Sequence, residues 1–238
     1  MLLSGCLLHA QETTSPNLEK EAALGRQMAE RFSSRTVNDA EVQSYLDRIT
    51  QRVGTQIKNA DFPFTVKVIS EDQCSVTHEP VALPAGYIFV PEALFLAAQD
   101  EAEFAGVLAQ AMQRTVLQQG LRSLTKADSL ASVPLIFMGN GCSEGTLVPR
   151  AAQGKAAMEA DELAVEALAH AGFDPEGLSH YLERVLPARP ERAENIQYLL
   201  KLQPQANYIV DESQFDAVRQ RVRFLTARVP KMPTLERQ

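Results

Sequence analysis

Residues 100–119 constrain the fold most, because Phe104, Leu108, Met112 and Val116 recur there every four residues. That spacing predicts a helix from about Asp100 to Gln119 with one apolar stripe, which must be buried against other elements. A second helix is expected over 39–57, with Val42, Leu46, Ile49, Val53 and Ile57 in register after an Asn38-Asp39 start signal. Further helices read from 151–171, ending at Gly172, from "DPEGLSHYLERVL" (174–186), and from "DESQFDAVRQRVRFL" (211–225). Between the first two lies a short β-region. "FPFTVKVIS" alternates Phe62, Phe64, Val66 and Val68 on one face, and "CSVTHEPVAL" and "GYIFV" are strand candidates separated by a Pro84-Ala85-Gly86 turn. The class is α+β: mainly helical, with a small sheet packed against the helices. The chain of 238 residues can bury one such core.

Charge narrows the partners. With a formal net charge of -7 and basic residues dispersed among acidic ones, non-specific binding to nucleic acid or an anionic membrane is not expected. No stretch approaches the ~20 apolar residues of a transmembrane helix. The N-terminal "MLLSGCLLHAQ" is apolar and uncharged until Glu12. Leu3-Ser4-Gly5-Cys6 is similar to a bacterial lipobox with Cys6 as lipid-bearing residue, and Leu8-His9-Ala10 is the alternative, a truncated signal-peptidase site. Residues 1–14 are therefore read as a signal or lipobox remnant or a disordered tail, and 15–238 as one domain. Export follows, to the periplasm or the outer membrane. Cys74 and Cys142 could pair there, or stay as buried thiols.

Most catalytic arrangements are missing. There is no G-x-S-x-G elbow, and "GNGCSEG" (139–145) lacks phosphate-cradling spacing and the P-loop Lys. A Cys74–His78 dyad competes with a buried structural cysteine. The histidines are His9, His78, His170 and His180, with no two at helical ligand spacing. Glu162, Glu166 and His170 share a helical face, open either to a metal or to ordinary i,i+4 pairing in solvent. His78-Glu79 of "THEP" precedes the LPAG turn in strand-like sequence and is not a displaced metal motif.

Several segments in order carry a resemblance. "EAALGRQMAERF", "VNDAEVQSYLDRITQRV", "FPFTVKVIS", "ALPAGYIFVPEALFLAAQDEAEFAGVLAQ" and "MEADELAVEALAHAGFDPEGL" resemble the HEXXH zinc metallopeptidase family of HtpX and BepA, which is gluzincin-like. "MPTLERQ" is similar to the remnant of a closing His-Pro-Pro segment. The resemblance implies a zincin-like domain whose small sheet packs on two active-site helices. In that family two His at i and i+4 hold zinc, the Glu between them activates water, and a Glu on the later helix completes the ligands. Carried over, these positions are Gln110, Ala111, Arg114 and Ala157. Gln offers a neutral amide oxygen, Ala111 accepts no proton, Arg114 repels a cation, and Ala157 has no donor.

The expectation is thus a pseudoprotease without zinc or any other cofactor and without catalytic residues. A remnant groove beside Ala85, Gly86, Tyr87, Ile88 and Phe89 would bind an extended peptide by strand addition. Arg114 would stand in the vacant metal position and pair with Glu159 or Asp161. The partner would be an envelope protein or peptide, or an active protease that the chain regulates. A helical-repeat domain is not expected, since the sequence stops shortly after Pro230-Lys231-Met232-Pro233. Two alternatives stand beside this one. The first is an active zinc endopeptidase with ligands not recognised above; the second is a structural lipoprotein subunit with a closed cleft.

Overall fold

A computed structural model describes residues 16–71, 78–125, 155–188, 190–201, 208 and 212–227. Cys6, Cys74, Cys142, the "GNGCSEG" segment and "MPTLERQ" lie outside the described residues.

Helix α1 (Pro16–Glu30) leads to a 3₁₀ turn and then to α2 (Ala40–Gly54). The start of α2 follows from its cap. Asp39 is extended, and its Oδ1 accepts the N–H groups of Glu41 and Val42 at 3.2 and 3.1 Å. Val42, Leu46, Ile49 and Val53 are at most 1% exposed, as their spacing predicts. The helix ends at Gly54, earlier than the sequence pattern suggests, and Ile57 is buried from the turn that follows.

The sheet contains β1 (Thr65–Ile69), β2 (Val81–Ala82) and β3 (Tyr87–Pro91), in the order β1-β3-β2. β1 and β3 run parallel, in register from Thr65↔Tyr87 to Ile69↔Pro91. β2 pairs antiparallel with β3 through Val81↔Phe89 and Ala82↔Ile88. Two expectations need correction. Phe62 and Phe64 precede β1 rather than belonging to it; Pro63 between them has no N–H for a ladder, and their rings meet edge-on at 5.5 Å. Of "CSVTHEPVAL", the described part is a strand only at Val81–Ala82.

Alternation along β3 explains the two faces of the sheet. Ile88 and Val90 join Val66 and Val68 in the main core, while Phe89 turns the other way to Phe32, Ile69 and Leu83. There the Phe32 and Phe89 rings stack at 4.4 Å, so α1 and the turn after it cover the outer face. α1 also seals the LPAG turn: a Cβ on Gly25 would lie 2.3 Å from the Pro84 carbonyl oxygen, and Gly86 has a φ of +81°.

A short helix not anticipated from the sequence, α3 (Glu92–Ala97), links the sheet to α4 (Glu101–Thr125). Asp100 Oδ1 accepts the Glu103 N–H and Glu103 Oε2 accepts the Gln99 N–H, both at 2.8 Å, so reciprocal side chains open α4. α4 is the central helix: beyond the Phe104, Leu108 and Met112 stripe, Ala105, Ala109 and Ala111 are also buried. α5 (Lys155–Ala171) packs along α4 and closes at Gly172, with the Phe173 N–H returning to the Leu168 carbonyl at 3.0 Å. α6 (Glu176–Val185) and the unanticipated α7 (Pro190–Lys201) form the next layer. α8 (Glu212–Ala227) returns to α2 and α3, where Phe215 meets Tyr45, Phe95 and Phe104 in one aromatic cluster.

Candidate functional site

The carried-over positions lie on α4 and α5, which pack against each other, and all four are buried. Gln110, Ala111 and Arg114 are 3%, 0% and 6% exposed on α4, and Ala157 is 1% exposed on α5. Arg114 Nη1 donates to Gln110 Oε1 at the limit of hydrogen bonding, 3.5 Å. The helices are tied nearby by Gln113 Nε2, which donates to the Leu163 carbonyl at 3.2 Å.

Asp161, four residues after Ala157 and fully buried, faces this group. The side chain bonded to it is Arg192 of α7. Nε and Nη2 of Arg192 each donate to one Asp161 oxygen at 2.7 Å, a bidentate fork. Arg192 Nη1 also lies 3.6 Å from Glu79 Oε1. Burial pushes the Asp161 carboxyl above its ordinary value, and the bonds and charge of Arg192 oppose this. Gln110 and Arg114 act on Asp161 in the same sense as Arg192, which places all four groups in one electrostatic cluster. For Arg192, burial acts downward, but the bonds and charge of Asp161 outweigh it and leave the guanidinium above its ordinary value.

The expected Arg114–Asp161 ion pair therefore takes a different form. The bonds run to Arg192, while Arg114 acts on Asp161 through charge; Glu159 points to solvent. Sequence reasoning missed Arg192 because α7 was missed. Its signal was present: Pro190 at the helix start, followed by Ala193, Ile196 and Leu200 at helical spacing.

The residues at the four positions do not fit zinc. They offer one amide oxygen, one guanidinium and two methyl groups, none of which resembles the imidazole and carboxylate donors that zinc prefers. Among the described residues no three His, Cys, Asp or Glu side chains converge on a point. On the Glu162–Glu166–His170 face, Glu166 accepts from Lys58 Nζ at 2.8 Å, and that bond lowers its pKa. Glu162 accepts from Asn195 Nδ2 at 3.3 Å.

The peptide-groove residues also need re-placing. β3 is the middle strand, with β1 along one side and β2 on the other, and its backbone is not an edge at Ile88 and Phe89. Pro84 and Gly86 are buried, Pro84 against Gly25 of α1 and Gly86 against Phe62 and Pro63. Among the described residues the strand flanking β3 toward the site is β2, which packs against α4. Its approach is held by Tyr181, whose buried hydroxyl donates to the His78 carbonyl at 2.8 Å.

No family model matches the chain. It is 26% identical over 192 residues to the β-barrel assembly-enhancing protease of Yersinia pestis, a match covering 71% of this chain and 38% of that protein. The Escherichia coli K12 protein of the same name is 22% identical over 179 residues, covering 66% of this chain and 35% of the relative. The chain thus spans little more than a third of the length of these relatives. No described helix is long and apolar enough to cross a membrane. The similarity to these proteases is distant, and it falls on a mostly helical fold with a small mixed sheet.

Proposed function

We propose that this chain is a metallopeptidase-derived binding protein without peptidase chemistry. It takes up an extended segment of an exported protein along the outer edge of β2, above the α4–α5 site. The occupant we favour is a strand of an unassembled β-barrel protein, the class that the relatives' name points to. Such a strand alternates apolar and polar residues and can pair through its main chain with an exposed strand edge.

The observation that carries this reading is the cluster at Gln110, Ala111, Arg114 and Ala157. Their chemistry provides neither a zinc ligand set nor a general base, and Asp161 already has both oxygens bonded to Arg192. Arg114 and Arg192 supply fixed positive charge around a buried carboxylate, a role a divalent ion can fill elsewhere. The lipid anchor at Cys6 and the periplasmic or outer-membrane location belong to the same proposal, and lipid labelling of a Cys6→Ser variant tests the anchor.

The competing reading is an active zinc endopeptidase with other ligands, which the word protease in the relatives' name favours. One assay separates the two. A fluorescein-labelled ten-residue peptide of alternating Val and Thr is mixed with the protein, with and without added Zn²⁺, and followed by anisotropy and mass spectrometry. Saturable binding of intact peptide supports the binding protein, particularly if a shuffled peptide with clustered Val binds less. Zinc-dependent cleavage would refute it.

A further inference from the structure

β2 is too short to hold its own place. It contributes two residues to the sheet, and one further main-chain bond, from the Leu83 N–H to the Tyr87 carbonyl at 2.7 Å, continues the pairing. Strand pairs of this size are marginal without other support. β2 packs on α4 and Leu83 joins the outer-face cluster, and two side chains outside the sheet hold the segment just before it. Tyr181 of α6 is fully buried and donates to the His78 carbonyl at 2.8 Å. Arg192 of α7 is 3% exposed and reaches Glu79 at 3.6 Å, while the fork to Asp161 fixes its orientation. The two contacts fall on adjacent residues, immediately before Pro80 and β2.

We propose that Tyr181 and Arg192 form a two-point clamp that fixes the edge strand β2 over the α4–α5 site, so that α6 and α7 govern peptide uptake at that edge. Both are positioning residues and touch no peptide. The clamp links the floor of the site to its rim. Arg192 holds Asp161, which lies beside Gln110 and Arg114, with two of its nitrogens, and Glu79 with the third. Tyr181 suits its part because burial pushes its hydroxyl far above the neutral range, which keeps it a donor at any working pH. The inference rests on β2 being the docking edge, and the test separates the two ideas.

Removing Arg192 would leave buried Asp161 without its bidentate partner, so the informative variants are Glu79→Gln and Tyr181→Phe, singly and together. Amide hydrogen exchange at Leu83 reports the β2–β3 pairing, and the β1 amides report global stability. The clamp predicts that Tyr181→Phe speeds Leu83 exchange by about fivefold, the size expected for one ordinary hydrogen bond, and that Glu79→Gln, which weakens a 3.6 Å ion pair, speeds it by less, with β1 unchanged in both. The alternating peptide should bind the double variant at least about fivefold more weakly than the parent protein. Unchanged exchange at Leu83 would overturn the clamp, as would equal acceleration at Leu83 and β1. If Leu83 loosens and a peptide that binds the parent binds the variants equally well, control of uptake is overturned. If Leu83 loosens and the parent binds no peptide, the clamp stands and the docking edge falls.

Discussion

Asp161 has no exposed surface, and both its oxygens are bonded to a guanidinium that is itself 3% exposed. A pair this deep is favourable only while both halves are present, because either charge alone would keep only weaker neighbours, Glu79 at 3.6 Å for Arg192 and the charge of Arg114 for Asp161. Asp161→Ala is expected to destabilise the fold by about 3–5 kcal/mol in urea unfolding, most of it from leaving buried Arg192 with Glu79 alone at 3.6 Å. Asp161→Leu combined with Arg192→Met should recover most of that loss, since an apolar pair of similar volume removes the uncompensated charge. If the double variant were no better than Asp161→Ala, the cost would lie in packing rather than in the ion pair. Residues separated by 31 positions make this contact, so nothing local in the sequence announces it. Asp161 stands out in the segment it sits in, but its partner lies on α7, whose polar surface hides its period.

Elements were legible in the sequence where their burial pattern was periodic and their ends chemically marked. α2 has Asp39 before it and an uninterrupted stripe, and α5 stops at Gly172, whose φ of +76° favours glycine. α3 and α7 were hidden for different reasons. α3 is six residues long and follows β3 directly, too short for a period to show. α7 is polar over much of its surface and buries only Arg192, Ala193 and Ile196, the first of which an apolar pattern does not count. Strand order is a further limit. The alternation of "GYIFV" marks a strand but does not say whether it is central, and the edge was therefore assigned to β3 rather than to β2. Helix crossings follow the same logic, since they depend on close approach rather than on pattern. A Cβ on Gly177 would sit 2.5 Å from the Ala102 carbonyl carbon, so α6 meets α4 backbone to backbone there. Gly177→Ala should cost about 1–3 kcal/mol through forced separation of the two helices, read by thermal or urea unfolding. A neutral result would mean that the crossing relaxes freely.

At the level of the whole molecule, the last described helix closes back on the second. Arg221 of α8 forks onto Asp39 with two bonds of 2.7 Å, so one carboxylate both caps α2 and holds α8. The Arg221 bond holds the Asp39 carboxyl at about 2, below its ordinary 3.8. The folded state therefore binds the proton more weakly than the unfolded one. The stabilisation is complete above pH 3.8 and is lost as pH falls through about 2. Asp39→Asn, which keeps a capping oxygen, should flatten the stability curve across that window, and an unchanged acid limb would show that the pair contributes nothing. The same molecule sets two arginines, one amide and two alanines about a buried carboxylate, in a chain distantly similar to a protease. The proposed binding role requires that this centre hold no metal. The direct measurement is zinc content per chain after dialysis against excess Zn²⁺ and desalting, with a Gln110→His, Ala111→Glu, Arg114→His, Ala157→Glu variant alongside. The account predicts a content near zero for the parent and uptake by the variant. One tightly held zinc per parent chain would contradict it.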